Sequence, residues 1–319
     1  MESLTSTGVE SATHDPGGAP EVELLDGPMG TELERLGYPT RLPLWSALAN
    51  EEAAELVREV HRAYAAAGAT IHTANTFRTQ PRLLGSRFKR LTKRAVALAF
   101  EALDQDHQDH QSSQSSREAT QERLGKRARV AGSLAPIEDC YRPDLSPGRG
   151  ALKEHREMAS ALAAAGVDLI LCETFPHIEE GLAALEAALE TELPVYLSFS
   201  PGPSDDLLSP DEIARGAERA FALGASAVLV NCLSARGARP YIEALSSAGG
   251  RFGVYANAGI VEHEVGFSPD RSFTPEEYAD LAEEFRALGA SIFGACCGMG
   301  PAHIGALAER LLKQPQLLR

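Results

Sequence analysis

The chain has 319 residues, enough for one large domain or two small ones, and its 44% hydrophobic and 24% charged content is that of a globular protein with a real core. Lysine and arginine total 30 against 45 aspartates and glutamates, a formal net charge of −15, which disfavours a nucleic-acid or anionic-membrane partner. No stretch approaches the roughly 18 apolar residues needed to cross a bilayer as a helix.

Met1–Pro20 is rich in Ser, Thr, Gly and acidic residues and has neither the basic nor the apolar region of a secretory signal. A disordered lead over residues 1–20 and a cytoplasmic location are the expectation. Five cysteines in that compartment favour metal or thiol chemistry over structural disulfides. Short apolar or β-branched runs follow at Val22–Leu25, Ala69–Ala74, Ala128–Ala131, Val167–Cys172, Val195–Phe199, Ala227–Val230, Gly253–Tyr255 and Ser291–Phe293. Between them lie Ala/Leu/Glu-rich stretches of helical length: Glu51–Ala67, Pro81–Leu103, Leu152–Ala165, Ile178–Leu189, Pro210–Leu223, Ala238–Ser247, Pro275–Leu288 and Pro301–Leu312. Ser209-Pro210-Asp211-Glu212 and Thr274-Pro275-Glu276-Glu277 each place a capping hydroxyl, then Pro, then acids at a helix start. Gly68, Gly166, Gly224 and Gly289 each close a helix just before a strand. About eight β/α units in one sweep predict a parallel sheet, and at this length a single (β/α)8 TIM-type barrel over residues 21–315. A doubly wound open sheet is the alternative, but no Gly-rich dinucleotide fingerprint follows the first strand. Asp104–Glu122 breaks the pattern, being polar, of low complexity and without apolar periodicity. It is expected to be a mobile surface insertion, and His107 and His110 within it read as solvated loop residues rather than metal ligands.

In such a barrel the active site lies at the C-terminal strand ends. Those ends carry Asp26 and Gly27, Asn75 to Phe77, Ser133, Glu173 and Thr174, Ser200, Asn231 and Cys232, Asn257, and Cys296 with Cys297. Three thiolates at one mouth form a plausible zinc site with a fourth position open. Neighbours on a regular strand point to opposite faces, so Cys296 and Cys297 can share a metal only where the strand ends and turns. Gly294, Gly298 and Gly300 permit that turn. The alternatives are a buried Cys beside an incidental one, or a redox disulfide. A zinc site of three thiolates suits a soft fourth ligand, and a substrate thiol arriving there loses its proton and can attack an electrophilic carbon. Asp26 and Glu173 offer carboxylates to the ammonium group of an amino-acid substrate, and the amides after Asp26 offer donors to its carboxylate. An Asp-Gly turn and a structural ion pair are the plainer readings of the two.

The blocks LLDGPMGTELERLG, PLWSALAN, TANTF, GSLAPIEDCYRPDL, LCETF, LVNC, YANAG and GACCG followed by PAHI together resemble the homocysteine S-methyltransferase family. The resemblance runs from about Leu24 to about Leu312. It implies a zinc (β/α)8 barrel with Cys232, Cys296 and Cys297 as zinc ligands. It also implies Asp26 and Glu173 at the homocysteine site, with Trp45 and Phe77 near the mouth; Gly27 and Asn257, at their strand ends, are further candidates for binding the substrate. These two aromatics either form a wall for a cationic methyl donor, where cation–π attraction helps, or simply pack. The chain departs from the family pattern at Ala295 before the Cys pair, at Ala256, at Arg78-Thr79-Gln80 after Phe77 where many members have small residues, and at Leu-Ser-Ala-Arg after Cys232. The expected activity is zinc-dependent methyl transfer from a small sulfonium or ammonium donor to homocysteine, giving methionine. S-methylmethionine is the foremost donor, because the chain leaves no room for appended folate or cobalamin modules; S-adenosylmethionine and betaine are the alternatives. A zinc hydrolase and a non-catalytic or redox-sensing thiol barrel are the rival functions.

Overall fold

The computed structural model describes residues 21–109, 128–261, 267–269 and 273–312. The expected apolar runs become β1 (Glu23–Leu24), β2 (Ile71–Ala74), β3 (Arg129–Leu134), β4 (Leu169–Phe175), β5 (Val195–Phe199), β6 (Ala227–Ser234) and β7 (Phe252–Asn257). An antiparallel hairpin, β8 (Gly259–Val261) with β9 (Phe267–Pro269), intervenes before the last strand, β10 (Ile292–Ala295). The eight parallel strands follow the order β1-β10-β7-β6-β5-β4-β3-β2. A parallel bridge between Leu25 and Ile71 joins the two ends, with Asp26 N–H donating to the Ile71 carbonyl at 2.9 Å and Thr70 N–H to that of Leu24 at 2.8 Å. The sheet is therefore a (β/α)8 barrel, and it needs no edge protection.

Alternation along each strand divides the core in two. Leu25, Ile71, Leu169, Leu171, Leu229 and Ile292 fill the barrel, while Leu24, Val130, Ile170, Val228 and Phe293 pack outward under the helices. The N-terminal end of the barrel is closed by charge. Glu23 accepts from the Tyr196 hydroxyl at 2.7 Å and pairs with Arg129 at 2.5 Å and Arg251 at 3.0 Å.

Helix ends follow local chemistry closely. Ser209 and Thr274 form capping boxes with Glu212 and Glu277, and Gly68, Gly166 and Gly224 close their helices at φ of 107°, 90° and 111°. Helices Leu152–Ala165, Ile178–Leu189, Pro210–Leu223 and Pro301–Leu312 have the expected bounds. Two helices differ. The first begins at Ala49 and breaks at Ala53, whose φ is −141°. The second is interrupted at Gly85 and then runs Phe88–Asp109, six residues into the segment expected to be loop. Asp104 to Asp109 contain no Gly or Pro, so nothing in them stops propagation of an existing helix. His110 and the remainder of that segment lie outside the described residues, as does the 1–20 lead. The helix Met29–Arg35 and the β8–β9 hairpin are too short to show a period in the sequence.

Strand β7 lies so close to β10 that a Cβ on Gly253 would collide with the backbone carbonyl of Ile292. Gly253→Ala should therefore lower stability by about 3 kcal/mol or more in urea denaturation. Gly166→Ala, at φ of 90° but in open space, should lose only about 1 kcal/mol. Equal losses would refute the close approach.

Candidate active site

At the C-terminal strand ends, regular pairing fails in two places, and both failures serve the mouth. β4 and β6 each contain a residue at positive φ, Thr174 at 64° and Cys232 at 56°, with a register shift beside each. Such a conformation costs on the order of 1–3 kcal/mol for a residue that is not glycine. The buried Asn231 offsets it. Its carboxamide oxygen accepts from Thr174 N–H at 3.1 Å and Ser198 Oγ at 2.7 Å, and its nitrogen donates to Thr174 Oγ1 at 2.8 Å. One side chain thus ties the ends of β4, β5 and β6 together and sets the backbone on which Cys232 sits.

The other two cysteines follow β10 directly, where Gly298 turns the chain at φ of 81°. Their backbone is pinned by Cys296 N–H to the Ala256 carbonyl at 2.9 Å and by Ala258 N–H to the Cys297 carbonyl at 3.2 Å. Cys232 Sγ lies 3.2 Å from Cys296 Sγ, which lies 3.9 Å from Cys297 Sγ, and all three sulfurs fall within 4.8 Å of one another. Contact with the Cys232 thiol, then with that of Cys297, draws Cys296 well below the ordinary thiol range. Contact with Cys296 pushes Cys232 well above it, and contact with Cys232, then with Cys296, does the same to Cys297. One proton leaves easily and the next two do not, so the trio carries a full complement of thiolates only around a cation. Soft donors at this spacing, on strand ends that fix them, fit a metal ion such as zinc.

Beside the sulfurs, Asp26 and Glu173 are both buried. Asp26 Oδ2 accepts from Thr73 N–H at 2.9 Å, and Glu173 accepts from the Ser133 hydroxyl and, at 3.2 Å, from the Tyr255 hydroxyl. Burial raises Asp26 to about 8, with a smaller contribution from the nearby Glu173, and burial raises Glu173 to about 7. Two carboxyls held near neutrality invite a cation that would restore their charge.

The aromatic wall is built by a buried polar network. Asn75 accepts from Ser46 Oγ at 2.7 Å and donates to the Ser46 carbonyl at 2.8 Å and to Asn50 at 3.1 Å. These bonds hold the segment carrying Trp45, itself at φ of 44°, against the end of β2. Trp45 and Phe77 then meet edge to face, with centroids 5.9 Å apart and planes at 78°. Gly27 lies so near the Tyr64 ring that a Cβ there would strike it.

Asp26, Gly27, Trp45, Phe77, Glu173, Cys232, Cys296 and Cys297 all line one cavity of about 530 Å³, a volume usual for a small-molecule site. Asn257 does not line it. This residue pairs with Ser234 beyond the β6 irregularity, and its side-chain nitrogen has no partner among the described residues. Sequence reasoning passed over Tyr141, whose hydroxyl is 3.2 Å from Cys232 Sγ, as well as Cys140, Tyr255 and Arg78. The inward register of β7 signals Tyr255, whereas Cys140 and Tyr141 sit on an irregular loop with no period to read. Buried Glu180 holds that loop by accepting from Ile137 N–H at 2.8 Å and from Ser146 Oγ. No described histidine lines the cavity; His61, on the helix before β2, and His72, within β2, are buried, and burial pushes them down to about 3 and about 4.

A (β/α)8 barrel with clustered thiols and paired acids at its mouth is the frame of an enzyme acting on a small thiol. The family model for homocysteine S-methyltransferase matches residues 23–311. The homocysteine S-methyltransferase of Escherichia coli is 32% identical, over 91% of this chain and 95% of that protein. The S-methylmethionine–homocysteine S-methyltransferase BHMT2 of Pongo abelii is 26% identical, over 91% of this chain and 78% of its own length. The crystal structure of the homocysteine methyltransferase MmuM from Escherichia coli, in its metallated form, superposes with a TM-score of 0.72 at 27% identity, over 91% of this chain and 96% of that one. The chain belongs to the homocysteine S-methyltransferase family and is an enzyme of that class.

Two predictions follow from the strand ends and the buried acid. Asn231→Ala leaves the Thr174 N–H without its acceptor and should cost about 2–4 kcal/mol in denaturant unfolding, while Ser198→Ala should cost about 1 kcal/mol. Glu173 is held in its acid form by the fold, so its stabilising contribution is complete below about pH 4.5 and is lost as pH rises through about 7. The metal-free protein should therefore lose up to about 3 kcal/mol between pH 5 and pH 8 that Glu173→Gln retains, a difference read from paired urea curves.

Proposed function

We propose that this enzyme is a zinc-dependent methyltransferase that moves a methyl group from S-methylmethionine to homocysteine, with Cys232, Cys296 and Cys297 as the metal ligands. The observation carrying this reading is the convergence of three sulfurs within 4.8 Å in a cavity that also contains two buried carboxyls. Zinc held there would supply the positive charge that keeps a substrate thiol deprotonated at neutral pH.

The remaining work falls to the protein. Asp26 and Glu173 receive the homocysteine ammonium, and its charge draws both into their ionised forms. The Trp45 and Phe77 wall receives the onium group of the donor and excludes water from it. The homocysteine sulfur supplies an electron pair to the methyl carbon, and the old sulfur–carbon bond breaks with its pair retained by the leaving sulfur. With S-methylmethionine as donor, two methionines result, and the thiol proton is released to solvent before transfer. No proton relay is needed, consistent with a cavity that no described histidine lines. The Pongo abelii relative, an S-methylmethionine–homocysteine S-methyltransferase, favours S-methylmethionine; S-adenosylmethionine and betaine are the competing donors.

Elemental analysis and methionine formation test the reading together. Wild-type protein should carry about one zinc per chain and form methionine fastest with S-methylmethionine among the three donors. Cys297→Ala should lose metal and activity at once; turnover retained without the ion would overturn the ligand assignment. Glu173→Gln should raise the KM for homocysteine at least about tenfold with metal content unchanged.

A further inference from the structure

The cavity wall contains a cation with no counter-ion among the described residues. Among its arginines, Arg142 is satisfied by Asp144, through Nε and Nη2 at 2.7 and 2.6 Å. The neighbouring Arg82 takes the carboxylates of Glu138 and Glu154. Arg78 is left with the Glu138 carbonyl alone, at 3.3 Å from Nη1. Its Nε is buried with no acceptor among the described residues, and no described carboxylate pairs with it. Asp26 and Glu173, the buried acids of the same cavity, are engaged by Thr73, Ser133 and Tyr255. A buried charged N–H without an acceptor is an unmet demand that a bound ligand can fill.

Position says which ligand. The Arg78 guanidinium lies 5.2 Å from the centroid of the Phe77 ring, over the very residue that with Trp45 forms the aromatic wall. It is thus a planar fork, pre-oriented by stacking, beside the surface that receives an onium group. An onium charge alone would meet like charge there. An onium compound that also carries a carboxylate would meet the wall with one end and the fork with the other.

We propose that Arg78 binds the carboxylate of the methyl donor and so restricts the donor subsite to onium compounds bearing a carboxylate. The proposal rests on the reading above, in which the donor lies against Trp45 and Phe77 and homocysteine takes Asp26 and Glu173. It adds a specificity residue that acts on the donor alone.

The test uses full-length, zinc-replete wild type, Arg78→Gln and Arg78→Lys. Two donor pairs differ in the carboxylate: S-methylmethionine against its carboxamide, and glycine betaine against choline. Steady-state kinetics gives the KM of each substrate. Trp45, the chain's single tryptophan, reports donor binding by fluorescence without turnover. Wild type should prefer the carboxylate member of each pair it accepts by about tenfold or more in Kd. Arg78→Gln should erase that preference with the homocysteine KM and zinc content unchanged, and Arg78→Lys should restore only part of it. An equal loss for carboxylate and carboxamide donors would overturn the proposal, as would a rise in homocysteine KM instead of donor KM. Wild type that ignores the carboxylate yet transfers methyl groups sinks this inference alone. Wild type that transfers from no onium donor sinks the functional reading beneath it.

Discussion

The mouth of this barrel depends on one buried amide. Asn231 bonds to the backbone and hydroxyl of Thr174 and to the Ser198 hydroxyl, and so holds two residues in a conformation they would not otherwise keep. On a regular strand, Asn231 and Cys232 would face opposite sides of the sheet, and only one could reach the cavity. The positive φ at Cys232 breaks that alternation, so Asn231 points inward to clamp while Cys232 turns its sulfur to the mouth. The vicinal pair solves the same problem differently, by leaving the strand altogether at Ala295 and turning at Gly298. The three sulfurs meet because the sheet stops being periodic where they stand.

Periodicity reveals the strands and hides the points where they break. The eight strands and most helix bounds were legible, since each strand buries both faces and each helix announces its ends through Ser209, Thr274 or a closing glycine. The strand-end rule then located Asp26, Glu173 and the cysteines without any view of the fold. The same rule brought in Asn257, which stands at a strand end, where it pairs with Ser234 beyond the β6 irregularity, and is not among the residues lining the cavity. Tyr141 was invisible for the converse reason, and Arg78 showed only as a departure from the family pattern. Each lies on a loop and meets a residue far along the chain, Cys232 for Tyr141 and the Glu138 carbonyl for Arg78, that no spacing encodes.

Charge is graded through the site. The protein bears a formal −15, yet the two acids nearest the sulfurs are driven toward neutrality by burial. An empty site therefore avoids stacking two carboxylates beside thiolates, a repulsion that would oppose folding. On the proposed reading a substrate ammonium would reverse the balance, making binding and ionisation one event, and a bare thiol lacking an ammonium would gain nothing from Asp26 or Glu173.

The proposed reaction explains why such a cavity is lined so largely by apolar and aromatic groups. Attack of an anionic sulfur on an onium methyl group destroys one negative and one positive charge, leaving two neutral thioethers. Water stabilises the separated ions of the ground state more than the charge-dispersed transition state, so excluding it lowers the barrier. Hydrolysis would ask the opposite, a water held near a general base, and no described histidine lines the cavity, His61 and His72 being buried with neutral rings. His61 Nδ1 approaches Asp26 only to 4.0 Å, from the helix side of the sheet rather than from the cavity. In the proposed reaction Trp45 and Phe77 would act by what they keep out as much as by the cation they face. The polar groups that remain, Asp26, Glu173 and Arg78, would fix the ends of two amino-acid-like molecules without placing a proton acceptor beside the carbon that moves.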